Sequence, residues 1–501
     1  MIADIDRYAE KALGITTKIL MDRSGLAVAS AVRQVVPAGG RVIILCGCGN
    51  NGGDGYAAAI RLMNDYAVVV YDVIGKGQKS ESGQYFMAEY KNRGGKVLVG
   101  IPPEQILETV DVLVDAIFGT GFRGEAPMGL STLSRIVNRM DNLKVVSVDV
   151  PLGICADDGS VEDYALKCDI TVSLSFPKVA MFTYPAKNYL GRVIFDSIGL
   201  TEKDFFEKFD FKNHYVDVEL AKELLPPRKI NSNKGTFGKA LLIVGSSDYM
   251  GAAALSLEGA LRGGAGYVTY LGDDTLCDFL LNKFPEAIYK RLDVFDKKRV
   301  AEASEKHQAI LIGSGSGNSL ELYETVKRLV ETKGGRLVID ADAINAVAEY
   351  GGASIFKKAK RDIIITPHPL EFSRISGYSV DYIEANRYRV AKEFAKEYKC
   401  TVLLKGAATI VSDGDDTYIN SSGSSALAKA GSGDVLSGIL VSLLAYSESP
   451  VKSAALAAFV HGRAGEKLGE EFSSYGVTPS DIPKMAAKIL AEIENGGCNG
   501  I

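Results

Sequence analysis

Short apolar runs separated by amphipathic stretches repeat along roughly the first 200 residues of the chain. The runs are rich in Val and Ile, as strands that are buried on both faces of a parallel sheet must be. The stretches between them are long enough for helices that cover those faces. This alternation predicts strands at residues 41–46, 67–74, 96–99, 111–117, 144–150, 169–174 and 192–198.

The alternation is interrupted between residues 201 and 234, where Pro226-Pro227 and Asn231-Ser232-Asn233 are typical of a domain boundary. It then restarts, which indicates a second α/β layer structure. We therefore expect two α/β domains, residues 1–213 and 214–501. The second domain has predicted strands at residues 239–244, 309–312, 336–339, 362–365 and 401–404, two short strands around the turn at 413–415, and helices at 435–446, 451–468 and 482–493.

The composition limits the classes of partner. Lys and Arg number 57 and Asp and Glu 62, so the net charge is −5 and no single-sign field attracts nucleic acid or an anionic membrane. The 7 cysteines have no paired metal spacing, which indicates reduced thiols in a cytoplasmic protein. No segment approaches the roughly 18 uninterrupted apolar residues of a membrane span. We expect a cytoplasmic homo-oligomer that binds small molecules.

A glycine-rich segment at residues 47–55, GCGNNGGDG, lies between the first predicted strand and a helix. Backbone N–H groups and the positive end of the helix meet there, which suits an anion such as phosphate. Two other strand ends bring Asp115 and Asp149 to the same edge of the sheet, where ligands of parallel sheets bind. A strand-end aspartate commonly caps a helix or forms a turn, but three converging strand ends favour a ligand site.

These segments, together with Ile5-Asp6-Arg7-Tyr8, residues 20–25 and Phe176-Pro177-Lys178, resemble the NAD(P)H-hydrate epimerases. The resemblance implies a Rossmann-like three-layer domain that interconverts the R and S forms of NADHX and NADPHX, the hydrated nicotinamide cofactors. It implies that Asp149 is the catalytic acid or base, and that Asn51 and Asp115 are ligands of a potassium ion. The residues it implies for substrate binding are Asn50, Asn51, Gly52, Gly53, Asp54, Gly119, Thr120, Gly121, Phe122, Arg123, Gly124, Glu125 and Asp149.

One position departs from that family. The family usually has serine after Asp-Val-Pro, whereas this chain has Leu152, which carries no side-chain oxygen for a cation. We expect backbone carbonyl groups to complete the potassium shell.

In the second domain, residues 428–434, AKAGSGD, precede an apolar helix. Phosphoryl transfer needs stabilisation of charge on the transferring oxygens and a base for the acceptor hydroxyl. We expect the backbone of Gly431, Ser432 and Gly433 to supply the first and Asp434 the second. A simple helix cap is the alternative for Asp434.

Histidine spacing gives little support to a zinc site. The 4 histidines are His214, His307, His368 and His461, and none are spaced as a ligand pair. His368, between two prolines, is expected to contact a ligand, whereas His461 on an alanine-rich helix is expected to be a core residue.

Residues 234–489 resemble the NAD(P)H-hydrate dehydratases of the ribokinase-like superfamily. The resemblance implies that ADP or ATP, with Mg²⁺, phosphorylates the hydroxyl on carbon six of the S hydrate, and that loss of phosphate regenerates NADH or NADPH. It implies that Asp434 is the catalytic base. Nucleotide binding is implied for Lys405, Gly406, Ala407, Ala408, Thr409, Gly431, Ser432 and Gly433, and the hydrate pocket for Ala252, Ala253, Gly317, His368 and Asp434.

The sequence leaves two alternatives open. The second domain has the glycine-flanked aspartate that ribokinase-like kinases of small alcohols share, so a kinase of a sugar or vitamin alcohol is the main rival. The first domain, with Leu152 in place of serine, is alternatively a ligand-binding or scaffolding module. The sequence does not decide whether the nucleotide is ADP or ATP, or whether the hydrated substrate derives from NADH or NADPH.

Overall fold

The chain is described from a computed structural model that covers residues 2–75, 77, 79–121, 129–201, 205 and 208–496. It divides into two compact units, Met1–Phe211 and Lys212–Ile501. Asn213, which the sequence places in the first domain, begins a strand of the second unit.

In the first unit, the described residues form a parallel sheet of seven strands in the order β3-β2-β1-β4-β5-β6-β7. The strands are β1 Arg41–Cys46, β2 Ala67–Asp72, β3 Lys96–Val99, β4 Val112–Ala116, β5 Lys144–Val148, β6 Ile170–Leu174 and β7 Arg192–Asp196. The helices are α1 Ile2–Leu13, α2 Thr17–Val35, α3 Asn50–Leu62, α4 Glu81–Asn92, α5 Glu104–Leu107 and α6 Leu130–Val137.

Apolar side chains cover both faces of this sheet. Neighbouring residues of β1 point to opposite faces, so Ile44 packs in one buried cluster with residues of α2 and α3, and Leu45 packs in another with residues of α6. Helices α2 and α3 approach closely at Gly25, where a Cβ atom would lie 2.6 Å from the backbone of Ala57. Helix α3, which begins within the glycine-rich segment, is therefore packed closely against α2.

The second unit contains a larger mixed sheet, in the order β11-β10-β9-β12-β13-β14-β15-β16-β17-β8. Its described strands are β8 Asn213–Val216, β9 Lys239–Ile243, β10 Tyr267–Gly272, β11 Ile288–Arg291, β12 Ala309–Ile312, β13 Arg336–Ile339, β14 Ile363–Ile365, β15 Thr401–Leu404, β16 Ile410–Ser412 and β17 Thr417–Asn420. Strand β16 runs antiparallel to both of its neighbours, and the other pairs are parallel.

The helices of the second unit are α7 Val218–Leu224, α8 Met250–Arg262, α9 Asp274–Leu281, α10 Lys297–Ser304, α11 Leu320–Val330, α12 Asp342–Tyr350, α13 Pro369–Ser376, α14 Val380–Ala385, α15 Arg387–Tyr398, α16 Ser432–Leu444, α17 Pro450–Gly476 and α18 Ile482–Asn495. Helices α8 and α16 pack backbone to backbone, because a Cβ at Gly438 would lie 2.2 Å from the Ser256 carbonyl oxygen. This contact fixes the position of the first turn of α16.

The α/β class and the mostly parallel sheet of the first domain are confirmed. The seven predicted strands of the first unit all form, some of them shorter than predicted. The sequence analysis missed β8, β10 and β11, of which β8 and β11 are edge strands with polar or charged residues. No helix within the described ranges is long and apolar enough to cross a membrane.

Candidate functional site

A cavity of about 720 Å³ opens in the first unit where β1, β4, β5 and β6 end. It lies at the point where the strand order reverses between β1 and β4, the place where open α/β sheets bind ligands. Its lining residues are Ile5, Thr17, Leu20, Met21, Ser24, Cys48, Gly49, Asn50, Asn51, Asp54, Ile117, Phe118, Gly119, Thr120, Gly121, Asp149, Asp157, Leu174, Ser175, Phe176, Lys178 and Ile198.

The glycine-rich segment forms one wall of this cavity. At two of its glycines the backbone is packed too closely for a side chain. A Cβ at Gly47 would lie 1.9 Å from the Ile117 carbonyl oxygen, and one at Gly52 would lie 2.1 Å from that of Gly47. Helix α3 then begins at Asn50, with its N-terminal turn at the cavity.

Most of the predicted substrate residues of this unit lie together. Asn50, Asn51, Asp54, Gly119, Thr120, Gly121 and Asp149 all line the cavity. Gly52 and Gly53 instead pack inside the unit, where a Cβ at Gly53 would lie 2.5 Å from the Met21 side chain. Phe122, Arg123, Gly124 and Glu125 lie outside the described residues.

The backbone around Asp149 is strained. Asp149, Ser175 and Ile198 have φ values of +68°, +63° and +46°, and they are three of the six non-glycine residues with positive φ in the described part of the chain. All three line the cavity, after β5, β6 and β7. Strained non-glycine residues cluster at functional sites, where the surrounding structure holds them for a purpose.

Lys178 is a residue of this site to which the sequence analysis assigned no role. Its ammonium group donates to Asp149 Oδ1 and, at 2.5 Å, to the Leu174 carbonyl oxygen. The side chain is 5% exposed and lines the cavity with Asp149. The motif Phe-Pro-Lys was visible in the sequence, but its contact with Asp149 joins residues 29 positions apart.

The predicted potassium ligands meet the same short segment after β4. Asp115, fully buried, accepts hydrogen bonds from the backbone N–H of Ile117 at 3.2 Å and of Leu152 at 2.7 Å. Asn51 donates through Nδ2 to the Phe118 carbonyl oxygen at 2.8 Å, which leaves its own oxygen for another partner. Burial raises the pKa of Asp115 to about 6, against the effect of the two N–H groups.

The buried charge of Asp115 is compatible with a bound monovalent cation, although Asp115, unlike Asn51, is not among the residues that line the cavity. No cationic side chain of the described residues pairs with Asp115, and a buried carboxylate without a counter-charge is costly. Leu152 contributes only its N–H group, because its side chain packs in the apolar cluster of Leu45 and Leu113. No group of three or more His, Cys, Asp or Glu within the described ranges is arranged to hold a metal.

In the second unit, Asp434 lies in the first turn of α16, directly after a left-handed backbone turn at Gly431 with φ +98°. The first N–H groups of a helix have no partner within it. That of Ser432 donates to the Lys429 carbonyl oxygen at 3.2 Å. Burial, and then the negative charge of Asp340, raise the pKa of Asp434 to about 7. A carboxyl group with this pKa is suited to accept a proton near neutral pH.

The Lys405 ammonium group pairs with two buried acids and lies near the turn that precedes Asp434. Its Nζ lies 3.2 Å from Asp340 Oδ1 and 3.7 Å from Glu371 Oε2, and a Cβ at Gly433 would lie 3.4 Å from it. Burial alone would raise the pKa of Asp340, but Lys405 and the hydroxyl groups of Thr366 and Ser314 hold it below its usual value. The ammonium group thus lies beside the predicted anion-binding turn.

The other residues predicted to bind nucleotide or hydrate in this unit differ in their exposure. Gly406 and Ala407 are exposed at the end of β15, whereas Ala408 and Thr409 are buried. Gly317 has open space around its Cα, but Ala253 is fully buried in the core.

His368 has a structural role at its position. It caps α13, with Nδ1 accepting from the N–H groups of Leu370 and Glu371 at 3.1 Å each. Its side chain remains 46% exposed and therefore accessible to a ligand.

His461 supports the anion-binding turn from inside the unit. Its Nε2 lies 3.1 Å from Ser432 Oγ and 3.0 Å from the Ser432 carbonyl oxygen. Burial lowers the pKa of His461 to about 4. His461 is buried, as its alanine-rich helix predicted. It also contacts Ser432, which lies two residues before Asp434.

Two family models match the chain. The model described as NAD(P)H-hydrate dehydratase matches residues 240–488, and the one described as YjeF-related protein N-terminus matches residues 17–180. The bifunctional NAD(P)H-hydrate repair enzyme of Moorella thermoacetica is 30% identical over 98% of this chain and 96% of its own length. That of Escherichia coli is 32% identical over 97% of this chain and 92% of its own.

The chain belongs to the bifunctional NAD(P)H-hydrate repair enzymes. A solved structure of the ADP/ATP-dependent NAD(P)H-hydrate dehydratase of Bacillus subtilis, co-crystallised with ATP and Mg²⁺, is 30% identical with a TM-score of 0.51, and the match covers 56% of this chain and 99% of that one. A ribokinase-like superfamily protein of Enterococcus faecalis, 24% identical with a TM-score of 0.50 over 57% of this chain and 98% of its own, shows the same fold. Membership of the repair enzymes favours cofactor repair over the small-alcohol kinase.

Proposed function

We propose that the chain restores hydrated NADH and NADPH in two steps, with epimerisation of the R and S hydrates in the first unit and nucleotide-dependent dehydration of the S hydrate in the second. The observation that carries the proposal is the position of Asp434 in the first turn of α16, beside the turn at Gly431 and the ammonium of Lys405. Family membership over both units supports the combination of the two activities.

In the proposed dehydration, Asp434 removes the proton of the hydroxyl on carbon six as that oxygen attacks the terminal phosphorus of ADP or ATP. The N–H groups of Gly431 and Gly433 and the Lys405 ammonium stabilise the charge on the transferring oxygens. The Mg²⁺ that accompanies the nucleotide shields its phosphate charges. The ring nitrogen lone pair then expels phosphate, and loss of a proton from carbon five restores the double bond.

We assign the hydrated dinucleotide to the 720 Å³ cavity of the first unit, with Asn50, Asn51, Asp54 and Asp149 as its polar contacts. We assign a potassium ion to Asn51 and Asp115, where it supplies the positive charge that the buried carboxylate needs. Residues Lys405–Thr409 are proposed to contact the nucleotide. The homo-oligomeric state and the cytoplasmic location stay predictions.

The test is incubation of a mixture of R and S hydrates with ADP or ATP, followed by the absorbance of the reduced nicotinamide. Full recovery supports both activities, whereas recovery of the S share alone contradicts the epimerase assignment. Accumulation of a stable phosphorylated product contradicts the dehydratase assignment. Asp434→Asn and Asp149→Asn are the matched variants, each expected to abolish one of the two steps and leave the other.

A further inference from the structure

Lys178 is the basic side chain in the cavity of the first unit. Among the lining residues that the structure describes, it is the one Lys, Arg or His, whereas Asp54, Asp149 and Asp157 are acidic. The proposed function assigns this side chain no role. Burial of this lysine costs free energy, because an ammonium group that leaves water is destabilised unless it is paired.

Two hydrogen bonds fix the position of the Lys178 ammonium group beside the cavity. It donates to Asp149 Oδ1 and to the Leu174 carbonyl oxygen at 2.5 Å. Asp149 Oδ1 also accepts from the Leu174 N–H at 3.3 Å. An ammonium group has three N–H donors, and its third has no partner among the described residues.

These contacts also separate the roles of the two side chains. Asp149 forms an ion pair with the Lys178 ammonium and also accepts from the Leu174 N–H, and both contacts favour the ionised carboxylate. In that state it has no proton to give. Lys178 carries the proton that the pair can deliver to a ligand in the cavity.

We propose that Lys178 is the general acid of the epimerisation and protonates the hydroxyl group that leaves carbon six of the hydrated nicotinamide. This inference rests on the proposed epimerase function of the first unit. It assigns Asp149 the role of a fixed negative charge beside the reacting carbon.

The proposed step balances in atoms and charge. The Lys178 ammonium gives a proton to the hydroxyl oxygen, the carbon–oxygen bond breaks, and water leaves. The ring nitrogen lone pair forms the double bond to carbon six, which leaves a ring cation and a neutral amine. Water then adds to the opposite face of carbon six and loses a proton, and solvent returns a proton to the amine.

Asp149 has a positive neighbour throughout this sequence. Before proton transfer the neighbour is the ammonium of Lys178, and after it the neighbour is the ring cation. Preorganised charge that needs no rearrangement at the moment of reaction is the most effective form of electrostatic stabilisation. The left-handed backbone at Asp149, φ +68°, holds the carboxylate in place for both states.

The experiment uses the full chain and pure S hydrate without nucleotide, so that appearance of the R hydrate reports epimerisation alone. We expect Lys178→Ala to lower kcat by about 100-fold or more, the usual contribution of a general acid. Methylammonium or ethylammonium in the buffer should restore part of that rate. Lys178→Arg should keep KM within about threefold but not restore kcat, because a guanidinium retains its proton.

The control variant is Lys187→Ala, which removes an exposed lysine that is not among the lining residues of the cavity and should leave epimerisation unchanged. Dehydration of S hydrate with ATP, measured on every variant, verifies that the chain is folded. Absence of exchange in the unmodified chain overturns the epimerase function and this inference together. With exchange present, full activity of either Lys178 variant overturns the inference alone, and so does a loss that no alkylammonium rescues, which assigns Lys178 a positioning role.

Discussion

Lys405 Nζ lies 3.2 Å from Asp340 Oδ1, and this ion pair forms the electrostatic surroundings of Asp434. Lys405 serves two purposes there. It compensates the buried charge of Asp340, and it places a cation beside the turn at which the transferring phosphate is proposed to bind. Burial, and then the negative charge of Asp340, keep Asp434 basic enough to accept a proton.

Asp434→Asn should lower kcat of dehydration by about 100- to 10,000-fold, because an amide cannot accept the hydroxyl proton. Epimerisation by the same chain should be unchanged. The measurement is recovery of reduced nicotinamide from S hydrate with ATP, with the exposed Asp415→Asn as control. A variant that dehydrates as fast as the unmodified chain would show that Asp434 is only a helix cap.

The dehydration rate should rise with pH through about 7. Burial and the charge of Asp340 raise the pKa of Asp434 to about 7, so the carboxyl group is protonated and inactive at lower pH. Initial rates between about pH 5.5 and 8.5 at saturating nucleotide test this dependence. A rate that is flat across this range contradicts the assignment of Asp434 as the base.

The same shift predicts a pH-dependent effect on stability. The pKa of Asp434 in the folded chain is raised above its unfolded value of 3.8 to about 7, so ionisation costs stability as the pH rises through that window. Asp434→Asn, which is never ionised, should therefore melt at least about 2 °C higher than the unmodified chain at pH 8. At pH 4 the two chains should melt alike, and a difference that is independent of pH would refute the linkage.

His461→Ala should weaken nucleotide binding. The substitution leaves the Ser432 hydroxyl and carbonyl without their buried partner, which costs roughly 1–3 kcal/mol and loosens the anion-binding turn. We expect KM for ATP to rise about tenfold while epimerisation is unaffected. His214→Ala is the control, because His214 is 27% exposed and pairs with Asp416 away from this turn. An unchanged KM would limit His461 to core packing.

Potassium should stabilise the first unit through Asp115. Because this carboxylate is fully buried without a cationic side chain in the described part of the chain, KCl should raise the melting temperature by about 2 °C or more over LiCl at equal ionic strength. Asp115→Asn should abolish the difference. Equal melting in both salts would show that the hydrogen bonds from Ile117 and Leu152 are sufficient for Asp115.

Residues next to one another in the sequence were the easiest to predict. Strand β1 was predicted with its observed bounds, since an uninterrupted apolar run has few alternatives when it is buried on both faces. The glycine-rich segment was equally visible, because its backbone contacts exclude side chains at Gly47 and Gly52. In contrast, β8 carries Asn213 and His214 and forms only by pairing with a strand about 200 residues later.

The site contacts that the sequence analysis did not predict join residues that are distant along the chain. Lys178 meets Asp149 and His461 meets Ser432, each pair 29 residues apart. Asp340 follows the predicted strand at 336–339, but its effect on Asp434 depends on how the two carboxyl groups are buried together in the fold. Periodicity reports which face of an element is buried and cannot report which polar groups meet across elements.

The edge position of β8 has a practical consequence for any separate preparation of the second unit. Strand β8 is the last in the sheet, and β17 is the one strand that pairs with it, in parallel from Asn213 to Val216. A chain shortened to begin at residue 217 would leave the peptide groups on the outer side of β17 unpaired. Those groups could then pair with a strand of another molecule. Such a protein should aggregate, whereas one that begins at residue 212 keeps the more polar β8, with Asn213 and His214, as the edge of its sheet.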